Sequence, residues 1–420
     1  MNRVFFILIV SSFAVAAFGQ FGLSSDMAGE GPMAALSLAA LKAAEGAVTL
    51  GLGLIGSMAL FLGIMKVAES AGLTDALARL LRPLLQRLFP EVPPGHPAMG
   101  AMVMNVAANM LGLSNAATPF GVKAMQELDK LNPEKGTASD AMVLFLALNT
   151  ANVTLLPTHV MALRATLGAH DPAAILPTTL FATFWAAGLA LLAAKFGGRW
   201  FPLPQGAKPV SQARAEGARP AAPSRGLLLL CLAGLLAVVP LMLLWGRILS
   251  PWIIPALMVL VLSIGLWRQV AVYEAFVEGA KDGLAVSLRI LPYLVAVLMA
   301  VAMFRESGAM ALLLGPLARV TTPLGAPPEV LTMAGLRCLS GSASFGYLSA
   351  MLQDPAIGPD GYLGILLSTI YASSETTFYV LAVYFGAIGV RRIRHALLVG
   401  LLADFAGLIF SIVICSWLYR

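Results

Sequence analysis

Apolar segments long enough to cross a lipid bilayer recur along this chain, and they restrict its fold more than any other feature. The last of them, residues 396–418, contains one charged residue, Asp404. About 20 consecutive apolar residues suffice for a helix that spans the hydrocarbon core. Of the 420 residues, 59% are hydrophobic and 11% are charged, whereas soluble domains carry about 25% charged residues. The chain is therefore predicted to be an all-α polytopic membrane protein, with the lipid bilayer as a partner.

Eight segments of this kind follow an apolar N-terminal stretch, so that we expect about eight or nine transmembrane helices. The stretch at residues 1–25 is either a retained helix or a signal peptide cleaved after Ala17-Phe18-Gly19. Both alternatives place residue 25 on the outer side of the membrane, so that the topology of the following spans is the same. The predicted spans are 47–65, 141–163, 173–194, 226–246, 248–267, about 284–304, 362–388 and 396–418.

A linker rich in proline, glycine and arginine, residues 196–225, divides the chain into two related parts. The first part is predicted to cover residues 40–195 and the second to cover 226–420. The motif Glu45-Gly46-Ala47 recurs as Glu278-Gly279-Ala280, and Asn152-Val153-Thr154 corresponds to Glu375-Thr376-Thr377. We therefore expect two structural repeats.

The distribution of lysine and arginine predicts that the repeats have opposite orientations in the membrane. The linker and residues 66–138 are rich in these cations and are expected on the cytoplasmic side, together with 391–394. Residues 305–360 are expected outside, where Arg305, Arg319 and Arg337 are the only cations. Inverted-topology repeats are typical of transporters that work by alternating access.

Two segments are too apolar for loops and too polar for simple spanning helices. In residues 99–125, Asn105 and Asn109 share a helix face, and Asn115, Thr118 and Pro119 interrupt the run. The corresponding residues 336–351 contain Ser340, Ser342 and Ser344 beside glycines. We predict re-entrant or broken helices here, since irregular backbone at membrane depth must lie inside protein or beside water. Helix packing through small polar residues is the alternative.

Glu375 is the one acidic residue near the centre of span 362–388. A charge at that depth costs at least a few kcal/mol, and burial raises the pKa of a carboxyl group, so Glu375 is expected to bind a cation or to carry a proton. In a continuous helix it would share a face with Tyr379. The alternative is a protonated glutamate that only bonds neighbouring helices. Asp404 is the second candidate for ion coupling, unless it pairs with a basic side chain. His159 is expected at the membrane interface.

The residues predicted to contact a solute or ion are polar and lie in the interrupted segments and spans. No catalytic residue, metal site or cofactor is predicted, because the three cysteines are scattered and neither a GxxxxGK[ST] nor an HExxH motif occurs. The predicted site residues are Asn105, Asn109, Asn115, Thr118, Asn149, Asn152, Thr154, Ser340, Ser342, Ser344, Glu375, Thr376, Thr377 and Tyr379.

Four longer motifs resemble a known family. NVAANMLGLSNAATPFGVKAMQEL (105–128) and TASDAMVLFLALNTANVTLLP (137–157) resemble spore maturation protein A. SGSASFGYLS (340–349) and SSETTFYVLAVYFGAIGVRR (373–392) resemble spore maturation protein B. The resemblance implies a fusion of the two proteins. It also implies two nucleoside-recognition or "Gate" membrane domains, which are related to concentrative nucleoside transporters and to the membrane part of ferrous-iron transporters. Iron is not implied, since the chain shows neither a GTPase motif nor a cluster of sulfur ligands.

We therefore expect a transporter-like protein of the bacterial inner membrane that moves a small polar solute or ion between its two repeats. A non-transporting scaffold for envelope or spore-maturation factors is the alternative, and an enzyme acting on lipid is a third. The prediction includes no nucleic-acid partner, and it leaves a homo-oligomer open.

Overall fold

The computed structural model describes residues 2–22, 31–93, 95–112, 114–202, 252 and 254–419, and this part of the chain is almost entirely helical. The predicted span 226–246 and most of the linker lie outside the described residues. The N-terminal stretch forms a helix. The helices before the linker are α1 Asn2–Gly22, α2 Pro32–Ser70, α3 Leu73–Leu88, α4 Pro97–Met110, α5 Ser114–Lys130, α6 Asp140–Thr150, α7 Thr158–Thr166 and α8 Leu176–Gly197.

The helices after the linker follow the same order as α2 to α8. A long helix and a short helix precede a hairpin of two short helices, then two further short helices, then a long final helix. Within the described ranges, three helical segments are long and apolar enough to cross a membrane, namely Pro32–Ser70, Pro172–Gly197 and Ala396–Tyr419. The helices are α9 Ile254–Trp267, α10 Val272–Glu306, α11 Ala309–Thr321, α12 Pro328–Leu339, α13 Gly341–Gln353, α14 Tyr362–Ser373, α15 Thr377–Gly386 and α16 Ala396–Tyr419.

The long helices α2 and α10 pack against each other in antiparallel directions. Gly51 lies against Leu291 near one end of the contact, and Gly63 lies against Phe276 near the other. Between them, a Cβ atom on Gly283 would lie 2.7 Å from the backbone N and Cα of Ala59. Small residues let two helix backbones approach closely within a membrane. The opposite directions of these corresponding helices are those expected of inverted repeats.

The predicted spans 141–163 and 362–388 are not continuous helices. The first is interrupted between Thr150 and Thr158, where Pro157 disfavours helix in the residue before it and has no N–H to donate. The second is interrupted between Ser373 and Thr377. Each half thus has a broken span, made of α6 and α7 or of α14 and α15. The expectation that Glu375 and Tyr379 share a helix face is wrong, because Glu375 precedes the first residue of α15.

The two predicted polar segments form hairpins. The first hairpin turns at Gly112, which ends α4 with a left-handed φ of 74°. This is earlier than the predicted interruption around Asn115 to Pro119, and Pro119 lies inside α5. The second hairpin turns at Ser340, whose extended backbone, with φ of −159°, separates α12 from α13.

The loops at each end of the molecule connect one half to the other through an arginine and an aspartate. At one end, which we call the basic end, Arg394 lies 2.7 Å from Asp140, and the Ala138 N–H donates to the Arg392 carbonyl at 2.9 Å. This end contains loops that the cation distribution assigns to a single side of the membrane. Which side of the membrane it faces stays a prediction.

At the opposite end, the fully buried Arg164 donates to the carbonyls of Pro359 and Asp171 and lies 3.5 Å from an Asp360 oxygen. The His170 backbone N–H and imidazole also bond Asp360, at 3.0 and 2.6 Å. Partial burial opposes ionisation of this carboxyl. The bonds from His170 and the charge of Arg164 outweigh that effect and lower the pKa of Asp360.

We expect Gly283→Ala to destabilise the protein by about 1–3 kcal/mol, because the added methyl group meets rigid backbone of α2. The Tm of purified protein in detergent measures this. Gly56→Ala on α2 is the control, since a Cβ atom at Gly56 would meet no atom within 4 Å. Equal Tm values for the two variants would contradict the close packing of α2 against α10.

We expect Asp360→Asn to lower the Tm at neutral pH and to matter less in acid. Because the folded-state pKa of Asp360 is lowered, its contribution is complete above the ordinary aspartate value of about 3.9 and is lost as the pH falls through the folded-state value. The Tm difference from wild type should therefore narrow between about pH 5 and about pH 3. The exposed Asp282→Asn on α10 is the control, and a constant difference for Asp360→Asn would disprove the expectation.

Candidate functional site

A cavity of about 320 Å³ lies where the two hairpin turns meet the two broken spans. Residues from both halves line it, including Asn109 and Gly112 of the first hairpin and Gly341 and Ser342 of the second. A smaller cavity of about 150 Å³ lies at the basic end beside Glu91 and Asp140, away from the breaks. The larger cavity is the candidate site because four interruptions of the helical backbone surround it.

The first hairpin touches the broken span of its own half through backbone atoms. A Cβ atom on Gly112 would lie 2.5 Å from the Leu156 carbonyl oxygen, so that no larger residue fits without movement. The Leu155 N–H donates to the Met110 carbonyl at 2.9 Å. This bond satisfies one of the polar groups that the break between α6 and α7 releases.

The second hairpin makes the corresponding contact in its half. Ser340 caps α13, since its hydroxyl accepts from the Ala343 N–H at 3.2 Å. A Cβ atom on Gly341 would lie 3.2 Å from the Thr376 hydroxyl. Both hairpin turns therefore lie directly against unwound backbone of a broken span.

Arg337 fastens the second hairpin to the break between α14 and α15. It is 5% exposed, and its guanidinium donates to the Thr376 hydroxyl at 3.3 Å and to the Ser374 carbonyl. It also lies 4.5 Å from the centroid of the Tyr371 ring. One guanidinium nitrogen is 3.7 Å from a Glu375 carboxylate oxygen. The interaction that holds this unwound segment therefore comes from a charged side chain.

Sequence patterns missed Arg337, which the cation distribution places in an outer loop. The structure buries it instead within the second hairpin. A signal for this role existed, because Arg337 is the only charged residue in segment 336–351 and stands three residues before the interruption at Ser340. An isolated charge in an apolar segment is usually functional or paired.

Glu375 faces the cavity and joins the two broken spans. Its side chain is 38% exposed, and its backbone N–H donates to the Thr150 carbonyl at 2.7 Å. Asn152 and Thr154, from the break between α6 and α7, line the same cavity. The predicted correspondence of Asn152 with Glu375 thus places two polar side chains, one from each half, around a common space.

Three asparagines and a tyrosine form a network behind the cavity. The Asn109 amide donates to the Asn149 side-chain oxygen at 3.0 Å, and the Tyr384 hydroxyl donates to the same oxygen at 3.1 Å. The fully buried Asn105 donates to the Ala117 carbonyl at 2.8 Å. Among these residues only Asn109 lines the cavity. Asn105 and Asn149 fasten the first hairpin to α6 and α15.

The remaining predicted residues divide between the cavity and the surrounding structure. Ser342 lines the cavity, whereas the Ser344 hydroxyl bonds carbonyls of its own helix at Ser340 and Gly341. Tyr379 is 55% exposed and does not line the cavity. Thr118 lies on α5 outside the cavity lining, and the side chain of Asn115 lies outside the described part.

His159 is a correction, because the structure places it in the cavity lining rather than at a membrane interface. It lies in the first turn of α7, which begins inside the protein because the span is broken at Pro157. Among the described residues no group of three or more histidine, cysteine, aspartate or glutamate side chains is arranged to hold a metal ion.

Asp404 lies behind the break in the second half, on α16. It is 8% exposed, and one of its oxygens accepts from the Thr377 hydroxyl at 2.7 Å. The other oxygen, Oδ1, is buried and has no hydrogen-bond partner in the part of the chain that the structure describes. The same residues contain no ion pair to Asp404, so the alternative in which Asp404 pairs with a basic side chain is not found there.

Three helices begin at the cavity. They are α7 at Thr158, α13 at Gly341 and α15 at Thr377, which directly follows the break that contains Glu375. The first N–H groups of a helix have no partner within it, and together they carry a partial positive charge. The cavity therefore combines these donors with the Arg337 and Glu375 charges and the polar groups of Asn109, Asn152 and Ser342. This arrangement suits a polar solute that both donates and accepts hydrogen bonds.

Comparison with known proteins supports the resemblance seen in the motifs. Residues 52–167 match the Gate family, described as nucleoside recognition. Spore maturation protein A of Bacillus subtilis is 45% identical over 145 residues, which make up 34% of this chain and 74% of that protein. Spore maturation protein B of the same organism is 40% identical over 171 residues, which make up 41% of this chain and 95% of that protein.

Two solved structures of CNTnw variants in an outward-facing state are 14% identical to the chain and cover 99% of both chains, with a TM-score of 0.45. That score is too low to support an argument about function. The matches to both spore maturation proteins confirm the expected fusion. The chain belongs to the spore maturation protein A and B family of helical membrane proteins and combines both types in one polypeptide.

Proposed function

We propose that the chain is a secondary transporter of the bacterial inner membrane that moves a small polar solute through the cavity at the hairpin turns. The observation that carries the proposal is the shared construction of this cavity. Each half contributes one hairpin turn and one unwound span, and the two breaks are joined by the bond from Glu375 to Thr150. Broken helices around a site between inverted repeats are the common plan of secondary transporters.

The lining of the cavity supports a class of solute. Its volume of about 320 Å³ is at the lower end of small-molecule sites. Phe345 and Tyr371 supply aromatic surface, while Asn152, Ser342 and Glu375 supply hydrogen-bonding groups. A polar solute with one flat face satisfies both kinds of wall. Nucleosides have this character, and the Gate family description makes them the first class to assay.

The orientation in the membrane is part of the same proposal. With the basic end in the cytoplasm, the linker is cytoplasmic and the second hairpin enters from outside. The first hairpin then enters from inside. The cavity is in this way reached by one hairpin from each side, as alternating access requires.

A membrane scaffold without transport is the other candidate, and it predicts a packed, dry interior between the halves. The cavity and the 38% exposure of the Glu375 side chain favour transport instead. An enzyme acting on lipid would need converging acid and base groups. Glu375 faces the cavity while Asp404 lies behind the unwound segment, so this arrangement favours a protein without catalysis.

We expect Glu375→Gln to reduce solute uptake at least about tenfold, because an amide cannot replace the charge beside Arg337 or accept as strongly from a solute. Uptake of radiolabelled nucleosides, and of amino acids as a second class, into proteoliposomes measures this. Tyr379→Phe is the matched control, since Tyr379 lies outside the cavity. Uptake by Glu375→Gln at the wild-type rate would remove this residue from the site, and no uptake of any class by the wild type would count against transport.

We expect a cysteine at position 342 to react with a water-soluble methanethiosulfonate reagent and a cysteine at 344 to stay protected. Ser342 lines the cavity, whereas Ser344 is fully buried against its own helix. The background carries alanine in place of Cys231, Cys338 and Cys415, and labelling is measured by mass spectrometry of the reconstituted protein. Equal protection at both positions would indicate a dry interior and favour the scaffold.

A further inference from the structure

The unwound segment 374–376 contains Glu375, and Thr377, which begins α15 directly after it, contacts Asp404. The Arg337 guanidinium bonds the Ser374 carbonyl and the Thr376 hydroxyl and lies 3.7 Å from Glu375. The next residue, Thr377, donates its hydroxyl to Asp404 at 2.7 Å. Residues 374–377 therefore bring the Arg337 guanidinium close to the carboxyl groups of Glu375 and Asp404.

Among the described residues, the positive charge near Glu375 and Asp404 is smaller than the negative charge that the two carboxyl groups would carry if both were ionised. Arg337 pairs with Glu375 and acts electrostatically on Asp404 as well. Among the described residues, the other titratable group that acts on Asp404 is Cys338 of α12, and Ser374 lies close enough to interact.

Among the described residues, the other helices that pack against α16 are α6, α8, α14 and α15, and Lys195 of α8 is the one basic side chain that they carry. Helices α6 and α8 carry ionisable side chains at their basic ends, Asp140 and Lys195. Helices α14 and α15 carry tyrosines, of which Tyr371 and Tyr384 are largely buried. In the part of the chain that the structure describes, Arg337 is thus the one cation that acts on both carboxyl groups.

Helix α16 packs closely around Asp404, so that a proton fits there more easily than a larger cation. A Cβ atom on Gly407 of α16 would lie 2.9 Å from the Ser373 hydroxyl, and one on Gly400 would overlap the Thr377 side chain. Helix α16 is therefore in contact with the break directly above and below Asp404. An ionised carboxylate buried without a counter-ion is costly at membrane depth, whereas the neutral acid needs no added volume.

We propose that Glu375 and Asp404 share the single positive charge of Arg337, so that one proton resides on the pair at neutral pH, on Asp404 while Arg337 contacts Glu375. Removing the negative charge of Glu375 leaves Arg337 to Asp404, whose proton then passes to water. Resting on the transport function proposed above, this identifies the proton as the coupling ion that solute binding at Glu375 releases.

Infrared spectroscopy of the protein reconstituted in liposomes tests this without any solute. The carbonyl stretch of protonated carboxylic acids is followed as the pH is raised from about 4 to about 9. Wild type should show a band that persists at neutral pH and is absent in Asp404→Asn. In Glu375→Gln the midpoint of that band should fall by about one pH unit or more, because Arg337 then has Asp404 as its carboxylate partner.

Asp354→Asn is the control, since Asp354 lies at the opposite end and pairs with Arg305 at 2.6 Å. It should leave the band unchanged. A band that survives in Asp404→Asn, or an unchanged midpoint in Glu375→Gln, would overturn the proposal. If Asp404→Asn fails to fold, the midpoint of the band in Glu375→Gln is sufficient to test the proposal. Because neither measurement involves uptake, a charge-sharing pair in a protein that transports nothing would reject the proposed function and leave the pair intact.

Discussion

The unwound backbone between Ser373 and Thr377 depends on the guanidinium of Arg337. Backbone carbonyls released from a helix have no water to bond at membrane depth, and each one left without a partner costs several kcal/mol. Arg337 supplies donors to the Ser374 carbonyl and the Thr376 hydroxyl. The arginine is itself tolerated because Glu375 lies beside it and the Tyr371 ring lies under it. The glutamate and the arginine thus make each other's burial acceptable, and together they keep the helix open.

The two halves reach the same geometry by different chemistry. In the first half, Pro157 disfavours continued helix and Gly112 allows the hairpin turn to touch the Leu156 carbonyl. Both causes are steric, so that a change in the charge of a nearby side chain does not remove them. In the second half, the break contains no proline and is held by an ion pair. The first break therefore depends on steric causes, and the second depends on a charged side chain.

The sequence predicted the architecture well and the membership of the site less well. Spans, repeats and hairpins follow from apolar length and from the order of prolines, glycines and polar residues, which are local properties. The contacts of Asn105 and Asn149 are not local, since both belong to a network with Tyr384, more than 200 residues away in sequence. For the same reason the sequence assigned Arg337 to a loop. Counting cations predicts the side of a loop, but it does not show that a hairpin returns the residue to the interior.

The breaks also explain why Glu375 and Asp404, which lie 29 residues apart in the sequence, differ in their surroundings. In an uninterrupted span, Glu375 would take its place on a helix face with Tyr379, which faces away from the cavity. Unwinding turns the Glu375 side chain toward the cavity and directs the Thr377 hydroxyl to α16. The segment therefore places the Glu375 carboxyl group in the cavity on one side and forms a hydrogen bond to the buried Asp404 on the other. In the transport function that we propose, a movement of this segment changes both environments together and so couples the solute to the proton.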